Sequence, residues 1–511
     1  MSKQKEIIVE TSSGRLEGRF ERNLYTFKGV PYAAPPVGEL RWLPPRPPSP
    51  WKGVRSAKAY AAIAPQDVVP LPGIPPAEPE PQSEGCLFLN VFSPGLDNGR
   101  RPVMVWIHGG AFSMGSGSMS MYTTGTMASN GNVVLVTINY RLGVLGFLNL
   151  NEVTKGRIPS TGNEGLQDQV AALKWVQENA AAFGGDPENI TIFGESAGAM
   201  SIGCLLNLPE ARGLFHRAIL ESPVGEMARP LEMSVEITEE FLRIVGLKGD
   251  DISGLRELSV RTILRAQQET ALRTEQGAAP VIPVADGAVM PRMPLDSLEA
   301  GLGFTVPTLI GSNLEEDKLF SMMNPQVFRI DEAGLRRTAS RYVEAGDVED
   351  LIRAYRNARE KRGEPATPFE VLSAINTDVM FRKTAIRIAK AQCQYARGGY
   401  NYLFTWKSPA ARGMLGACHA LEIGFVFGNY DESFCGTGPE ADRLSGAMQD
   451  AWVTFAHIGN PSCKSLGEWP RYSDGRSTMV FGKNSRIEKA VYEEERHIWD
   501  MLHELKYSNM P

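Results

Sequence analysis

Short apolar runs alternate with helical segments along most of the chain, and this alternation limits the available folds more than any other feature. The runs are LFLNVF (87–92), VMVWIH (103–108), VVLVTINY (133–140), ITIFG (190–194), RAILES (217–222), PTLIGS (307–312) and YNYLFTW (400–406). Between the third and fourth lies LQDQVAALKWVQENAAAF (166–183), whose apolar residues recur at helical spacing. Another helical stretch begins at Ala197, directly after the fourth run. Buried strands alternating with helices predict an α/β fold: a large, mostly parallel central sheet with helices on both faces. Before this region, EIIVETSSGRLEGRF and LYTFKGVPYA are strand-like and punctuated by Gly and Pro, which predicts an antiparallel meander over about 1–60. The proline-rich segment 68–82 suits neither a helix nor a central strand and reads as a surface loop. Residues 230–300 and 325–400 are largely helical and charged, and read as excursions that partly cover a site. The whole chain, 1–511, reads as one domain.

The net charge of −6 gives no basic footprint for nucleic acid or an anionic membrane. The most apolar stretch, Val133 to Leu150, is interrupted by Asn139 and Arg141, which argues against a membrane span. The N-terminus lacks the apolar core of a secretory signal. Six scattered cysteines form no metal-spaced cluster and read as free thiols in a reducing cytosol. No metal or cofactor is expected.

The chemistry concentrates at Gly194-Glu195-Ser196-Ala197-Gly198, set between a β-branched run and a helix. Two glycines permit a sharp strand-to-helix turn that exposes a serine hydroxyl, the nucleophile elbow of α/β-hydrolases. A second strand ends in His108-Gly109-Gly110-Ala111-Phe112. Its glycines leave backbone N–H groups unshielded, so Gly109, Gly110 and Ala197 are the expected oxyanion donors. In this fold the triad runs in the order serine, acid, histidine. Of six histidines, His108 precedes Ser196, His216 leaves no room for an acid, His457 lies within a helix, and His497 and His503 fall on a charged C-terminal helix. His419, in a loop beyond a strand, remains as the base. The acid should follow the strand ending at Gly311, where Glu315, Glu316 and Asp317 are adjacent; spacing does not choose among them, and Asp286 is a weaker candidate.

These motifs, with GVPYAAPPVGELRW, SEGCLFLNVFSP, NYRLGVLGFL, GNEGLQDQVAALKWVQENAAAFGGDPENITIFGESAGA, GLFHRAIL, PVADG, GSNLEED and HALEIGFVFGN, resemble the carboxylesterase/cholinesterase family over nearly the whole chain. The likeness is to bacterial carboxylesterases of the p-nitrobenzyl-esterase kind. It implies an α/β-hydrolase that cleaves carboxylic esters through Ser196, Glu316 and His419. It also implies a Glu195 that tunes the histidine, a Ser222 buried beside the triad and an Arg41–Glu84 ion pair. The family mostly has Gly after the catalytic Glu, where this chain has Asp317.

In secreted members the cysteine matching Cys86 pairs with one upstream; here the equivalent stretch reads Ala64-Pro65-Gln66, so the resemblance implies no such bridge and a cytoplasmic, bacterial enzyme. No Trp occurs from residue 52 to 105, which disfavours choline esters. Phe112, Met114, Phe320, Met322, Phe425 and Phe427 lie close in sequence to the motifs and are expected to line the pocket. The expected partner is a small ester, with the chain a monomer or small homo-oligomer. The same triad would also serve carbamate, amide or thioester bonds. A silent, cholinesterase-like binding protein is the distant alternative, because such members lose the serine or histidine that this chain keeps.

Overall fold

The computed structural model describes residues 6–67, 80–123, 125–274, 281–395 and 398–505. Most of the proline-rich segment, residues 68–79, lies outside the described residues.

The centre is an 11-stranded sheet. In chain order its strands are β1 (Arg19–Glu21), β2 (Leu24–Pro31), β3 (Phe88–Ser93), β4 (Arg101–Ile107), β5 (Val134–Ile138) and β6 (Gly185–Glu195). There follow β7 (Arg217–Glu221), β8 (Thr308–Asn313), β9 (Gly399–Phe404), β10 (Ser477–Phe481) and β11 (Arg486–Lys489). Their spatial order is β11-β10-β9-β8-β7-β6-β4-β5-β3-β2-β1. From β5 to β10 every pairing is parallel, and both ends of the sheet are antiparallel.

The central strands are rich in apolar residues because helices cover both faces. Every residue of β5, β8 and β9 is buried. Along β4 the side chains alternate between two cores: Val103, Val105 and Ile107 enter one, Met104 and Trp106 the other. The amphipathic helix α1 (Glu164–Asn179) packs Leu166, Val170, Leu173 and Val176 into the first core. Helix α2 (Ala197–Leu205) follows β6 directly.

At the N-terminus the strand Ile8–Thr11 pairs antiparallel with Gly14–Glu17, but Val54–Ser56 joins that pair in parallel. The segment is therefore not a pure meander, because the chain makes a long excursion before returning to the strand edge. Helices fill 231–273 and 294–299 between β7 and β8, and much of 317–395 between β8 and β9. Within the second group, the helices over 332–377 share a separate small core with Ile498 and Trp499 near the C-terminus, while Ala385 and Ile388 of the last helix enter the first core.

The parallel arrangement brings distant loops together. β4, β6, β7, β8 and β9 all finish at one edge, where a site on an open α/β sheet belongs. The segments leaving them carry residues 108–115, Ser196, Ser222, Glu316 and His419.

Candidate active site

β6 stands at the middle of the sheet and ends at Glu195, so Ser196 occupies the turn into α2. Its backbone is strained, at φ 55° and ψ −120°, and is held by a 2.9 Å bond from its N–H to the Glu221 carbonyl. The turn lies against the end of β4. A Cβ at Gly194 would stand 2.5 Å from the Ile107 oxygen, and one at Gly198 would meet the same atom more closely. The glycines of the motif therefore answer a steric demand. Ser196 is 8% exposed at the N-terminus of α2, where helix N–H groups carry partial positive charge.

The loop after β4 lies alongside. A Cβ at Gly109 would meet Ser196 Cβ at 3.2 Å. Among the described residues, the N–H groups of Gly109, Gly110 and Ala111 donate to no acceptor, and the first helical bond of α2 begins only at Met200. Ala111 was absent from the sequence expectation. It takes φ 53°, which turns its peptide within the same loop. His108 is occupied elsewhere: its Nδ1 donates to the Gly109 oxygen at 2.8 Å, and its ring stacks on Tyr140 at 4.5 Å. Burial depresses it to about 4, partly opposed by that hydrogen bond, so the ring is neutral.

His419 follows β9, and its Nδ1 donates to Glu316 Oε2 at 2.6 Å. Glu316 is fully buried, and its Oε1 accepts from Ser222 Oγ and the Asn313 N–H, each at 2.6 Å. The neighbouring acids turn away. Glu315 accepts from the Ala417 N–H and Lys318, Asp317 from Ser321 and Asn376, and Asp286 from N–H groups of its own turn. The Asp317 that departs from the family pattern thus leaves Glu316 in contact with the histidine. On the other side, His419 Nε2 lies 3.0 Å from Glu195 Oε1; among the described residues no hydrogen bond joins it to Ser196. Burial pulls the imidazole pKa down, but the Glu195 and Glu316 carboxylates on its two nitrogens outweigh it and hold it well above the usual range.

Two further buried carboxylates were not foreseen. Glu221 stands opposite Glu195 in the β6–β7 register and accepts from Trp452 Nε1 at 2.8 Å. Burial pushes it up to about 8. Glu422, three residues beyond His419 on the helix Leu421–Phe427, accepts from Asn313 and lies 3.5 Å from Ser222 Oγ; burial, then Glu195 and Glu316, raise it strongly. The signal available in sequence was positional: Glu221 directly precedes Ser222 as Glu195 precedes Ser196, and Glu422 lies three residues after His419.

Of the expected pocket residues, Phe320 contacts the His419 ring at 5.1 Å. Met114 and Met322 are half-buried, with Met114 against Gly110. Phe112, Phe425 and Phe427 are core residues instead. Phe112 packs on Phe147, Phe425 on Phe404, Trp406 and Tyr430, and Phe427 on Trp106, Tyr122 and Phe193. All three are buried, the last two on a helix, Leu421–Phe427, that is buried all round. Phe381, which sequence reading missed, meets His419 at 4.8 Å from a π-helical turn, Asp378–Arg382. Arg41 and Glu84 form a bidentate pair, and all six cysteines are unpaired. No helix among the described residues is long and apolar enough to cross a membrane.

A serine on an elbow, an imidazole held by a carboxylate and unpaired N–H groups on one sheet edge are the parts of an acyl-transfer site. The family model "Carboxylesterase family" matches residues 5–499. The chain belongs to the carboxylesterase family. Among similar proteins, this carboxylesterase is 37% identical to the para-nitrobenzyl esterase of Bacillus subtilis, over 96% of this chain and 97% of that protein. It is also 37% identical to the phenmedipham hydrolase of Pseudarthrobacter oxydans, over 93% and 95% respectively. The solved structure of the Geobacillus stearothermophilus carboxylesterase EST55 is similar at a TM-score of 0.85 and 39% identity, covering 96% of this chain and 99% of that one. The fold is the α/β-hydrolase fold, and the chain is a carboxylic ester hydrolase.

Proposed function

We propose that Ser196 is the nucleophile, His419 its general base and Glu316 the acid that orients the base, with small carboxylic esters as substrates. The observation carrying this reading is the 2.6 Å contact of His419 Nδ1 with buried Glu316, on the sheet edge that also bears strained Ser196. His419 Nε2 takes the Ser196 proton as Oγ attacks the ester carbonyl. The oxyanion then draws on N–H groups of Gly109, Gly110, Ala111 and Ala197. His419 passes its proton to the leaving alcohol, and water repeats the sequence on the acyl-enzyme. Nε2 faces Glu195 at rest, so the substrate complex must draw it toward Oγ; catalytic hydrogen bonds commonly tighten only then. Phe320 and Phe381 border the histidine and give the acyl or alcohol group an apolar wall. A reducing, cytoplasmic setting is supported by six unpaired cysteines.

Hydrolysis of p-nitrophenyl esters from acetate to laurate by wild type and Ser196→Ala tests the reading. The wild type should turn over short esters, and the variant should lose roughly 10³-fold or more. A variant within tenfold of wild type would remove Ser196 from the chemistry.

A further inference from the structure

The Gly109 carbonyl and the Gly110 N–H belong to one planar trans peptide, so they point in opposite directions. Whatever fixes the oxygen therefore fixes the donor. One donor holds that oxygen, and one residue lies close against it. His108 Nδ1 donates to it at 2.8 Å. From beyond, Gly115 lies so close that a Cβ there would stand 2.6 Å from the Gly109 oxygen and 2.5 Å from His108 Nδ1.

Gly115 is held in turn by one side chain, brought from another part of the chain. The Gln66 amide clasps its backbone on both sides: Oε1 accepts from the Gly115 N–H at 2.7 Å, and Nε2 donates to the Gly115 oxygen at 3.0 Å. Nε2 also donates to the Ala64 oxygen at 3.0 Å, and the Gln66 N–H donates to Gln82 Oε1 at 3.0 Å, so the clasp is itself braced. Glu80 continues the attachment, accepting from Ser116 and Ser118. Beyond Gly115 the strip is anchored to the sheet, where the Gly117 N–H donates to Asn139 Oδ1 at 2.7 Å. The stretch before Gly115 turns tightly on itself, with the Ser113 and Met114 N–H groups both donating to the Gly110 oxygen.

We propose that Gln66 is a positioning residue for ester hydrolysis: by clasping Gly115 it presses that residue onto the Gly109 oxygen and so aims the Gly110 N–H at the developing oxyanion. The inference rests on the oxyanion reading above. A carboxamide suits the task because it offers one donor and one acceptor in a plane, matching a backbone peptide edge. Methionine has similar length without hydrogen bonds, and alanine removes the length as well.

The test compares Gln66→Met and Gln66→Ala with wild type, after thermal unfolding has shown each to be folded. Three quantities are read: kcat and KM for p-nitrophenyl butyrate, the inhibition constant of an alkyl trifluoromethyl ketone, and amide exchange over residues 108–116. The ketone forms a charged tetrahedral adduct that needs the oxyanion donors. Both variants should lose about tenfold or more in kcat, keep KM within about threefold and weaken ketone binding in parallel, since a donor displaced by a fraction of an ångström loses much of its effect. Exchange over 108–116 should rise about tenfold while the sheet stays protected. Gln66→Met matching wild type while Gln66→Ala fails would make the role one of volume and overturn the inference. Unchanged exchange would overturn it too. The exchange result does not depend on turnover, and the wild-type rate answers separately for the oxyanion reading.

Discussion

Replacing Glu316 by Gln should cost far more activity than replacing Glu195 by Gln, although both carboxylates touch the His419 ring. Glu316 receives three donors: His419 Nδ1, Ser222 Oγ and the Asn313 N–H. An amide has one acceptor oxygen. If that oxygen keeps the Ser222 and Asn313 bonds, the NH₂ faces Nδ1, which must then accept. The ring proton moves to Nε2, the nitrogen that has to take the serine proton. A wrong tautomer of this kind costs about 10⁴-fold in kcat, or about 5.4 kcal/mol. Glu195 meets Nε2 and does not set the tautomer, so Glu195→Gln should stay within about tenfold in kcat. Its effect should appear in pH dependence. Glu195 is the larger of the two attractions that raise His419 against burial. The base works when neutral, so activity rises with pH through its pKa, and removing Glu195 should move that rise to lower pH. Initial rates with p-nitrophenyl butyrate from pH 5 to 10, with circular dichroism as a check on folding, measure both effects. Glu316→Gln retaining a tenth of wild-type kcat while Glu195→Gln loses a thousandfold would reverse the two roles.

Three further outcomes follow from local geometry. Gly194→Ala must shift backbone by at least half an ångström, because a Cβ would sit 2.5 Å from the Ile107 oxygen; kcat should fall about 10- to 100-fold, with a lower melting temperature by calorimetry. Ser222→Ala removes one of the two donors to Glu316 Oε1 and leaves the Asn313 N–H; kcat should fall about tenfold with KM nearly unchanged in steady-state assays. Glu221 is raised from 4.5 to about 8, so the folded chain keeps a proton that the unfolded chain releases. Its contribution to stability is full below pH 4.5 and declines as pH rises through 8, by up to about 1.4 kcal/mol per pH unit. Urea titrations at several pH values should show a shallower decline for Glu221→Gln.

Much of the fold was legible because parallel strands buried on both faces are dominated by apolar residues, and that leaves a plain trace in runs such as 133–140 and 190–194. The elbow was legible because Gly194 and Gly198 have no room for a Cβ against Ile107. Spacing could not separate Glu316 from Glu315 and Asp317, since the difference is which side chain turns toward the histidine loop and which braces it. Glu315 does the bracing, through the Ala417 N–H. Glu221 and Glu422 went unseen because carboxylates on separate elements converge only when β6, β7 and the helix after His419 are assembled. Phe112, Phe425 and Phe427 misled because closeness to a motif does not tell which side chains the core takes up. Gln66 stands two residues after the position where the cysteine is missing, and its amide reaches Gly115 only when the chain is folded.

The most direct measurement is intact-mass and peptide mapping of the protein after reaction with an alkyl fluorophosphonate, which labels an activated serine. A single adduct on the peptide bearing Ser196, absent in Ser196→Ala and slowed by a competing ester, is the expected result. An adduct on another residue, or hydrolysis that continues after Ser196 is fully labelled, would contradict the assignment of the nucleophile and with it the triad built around it.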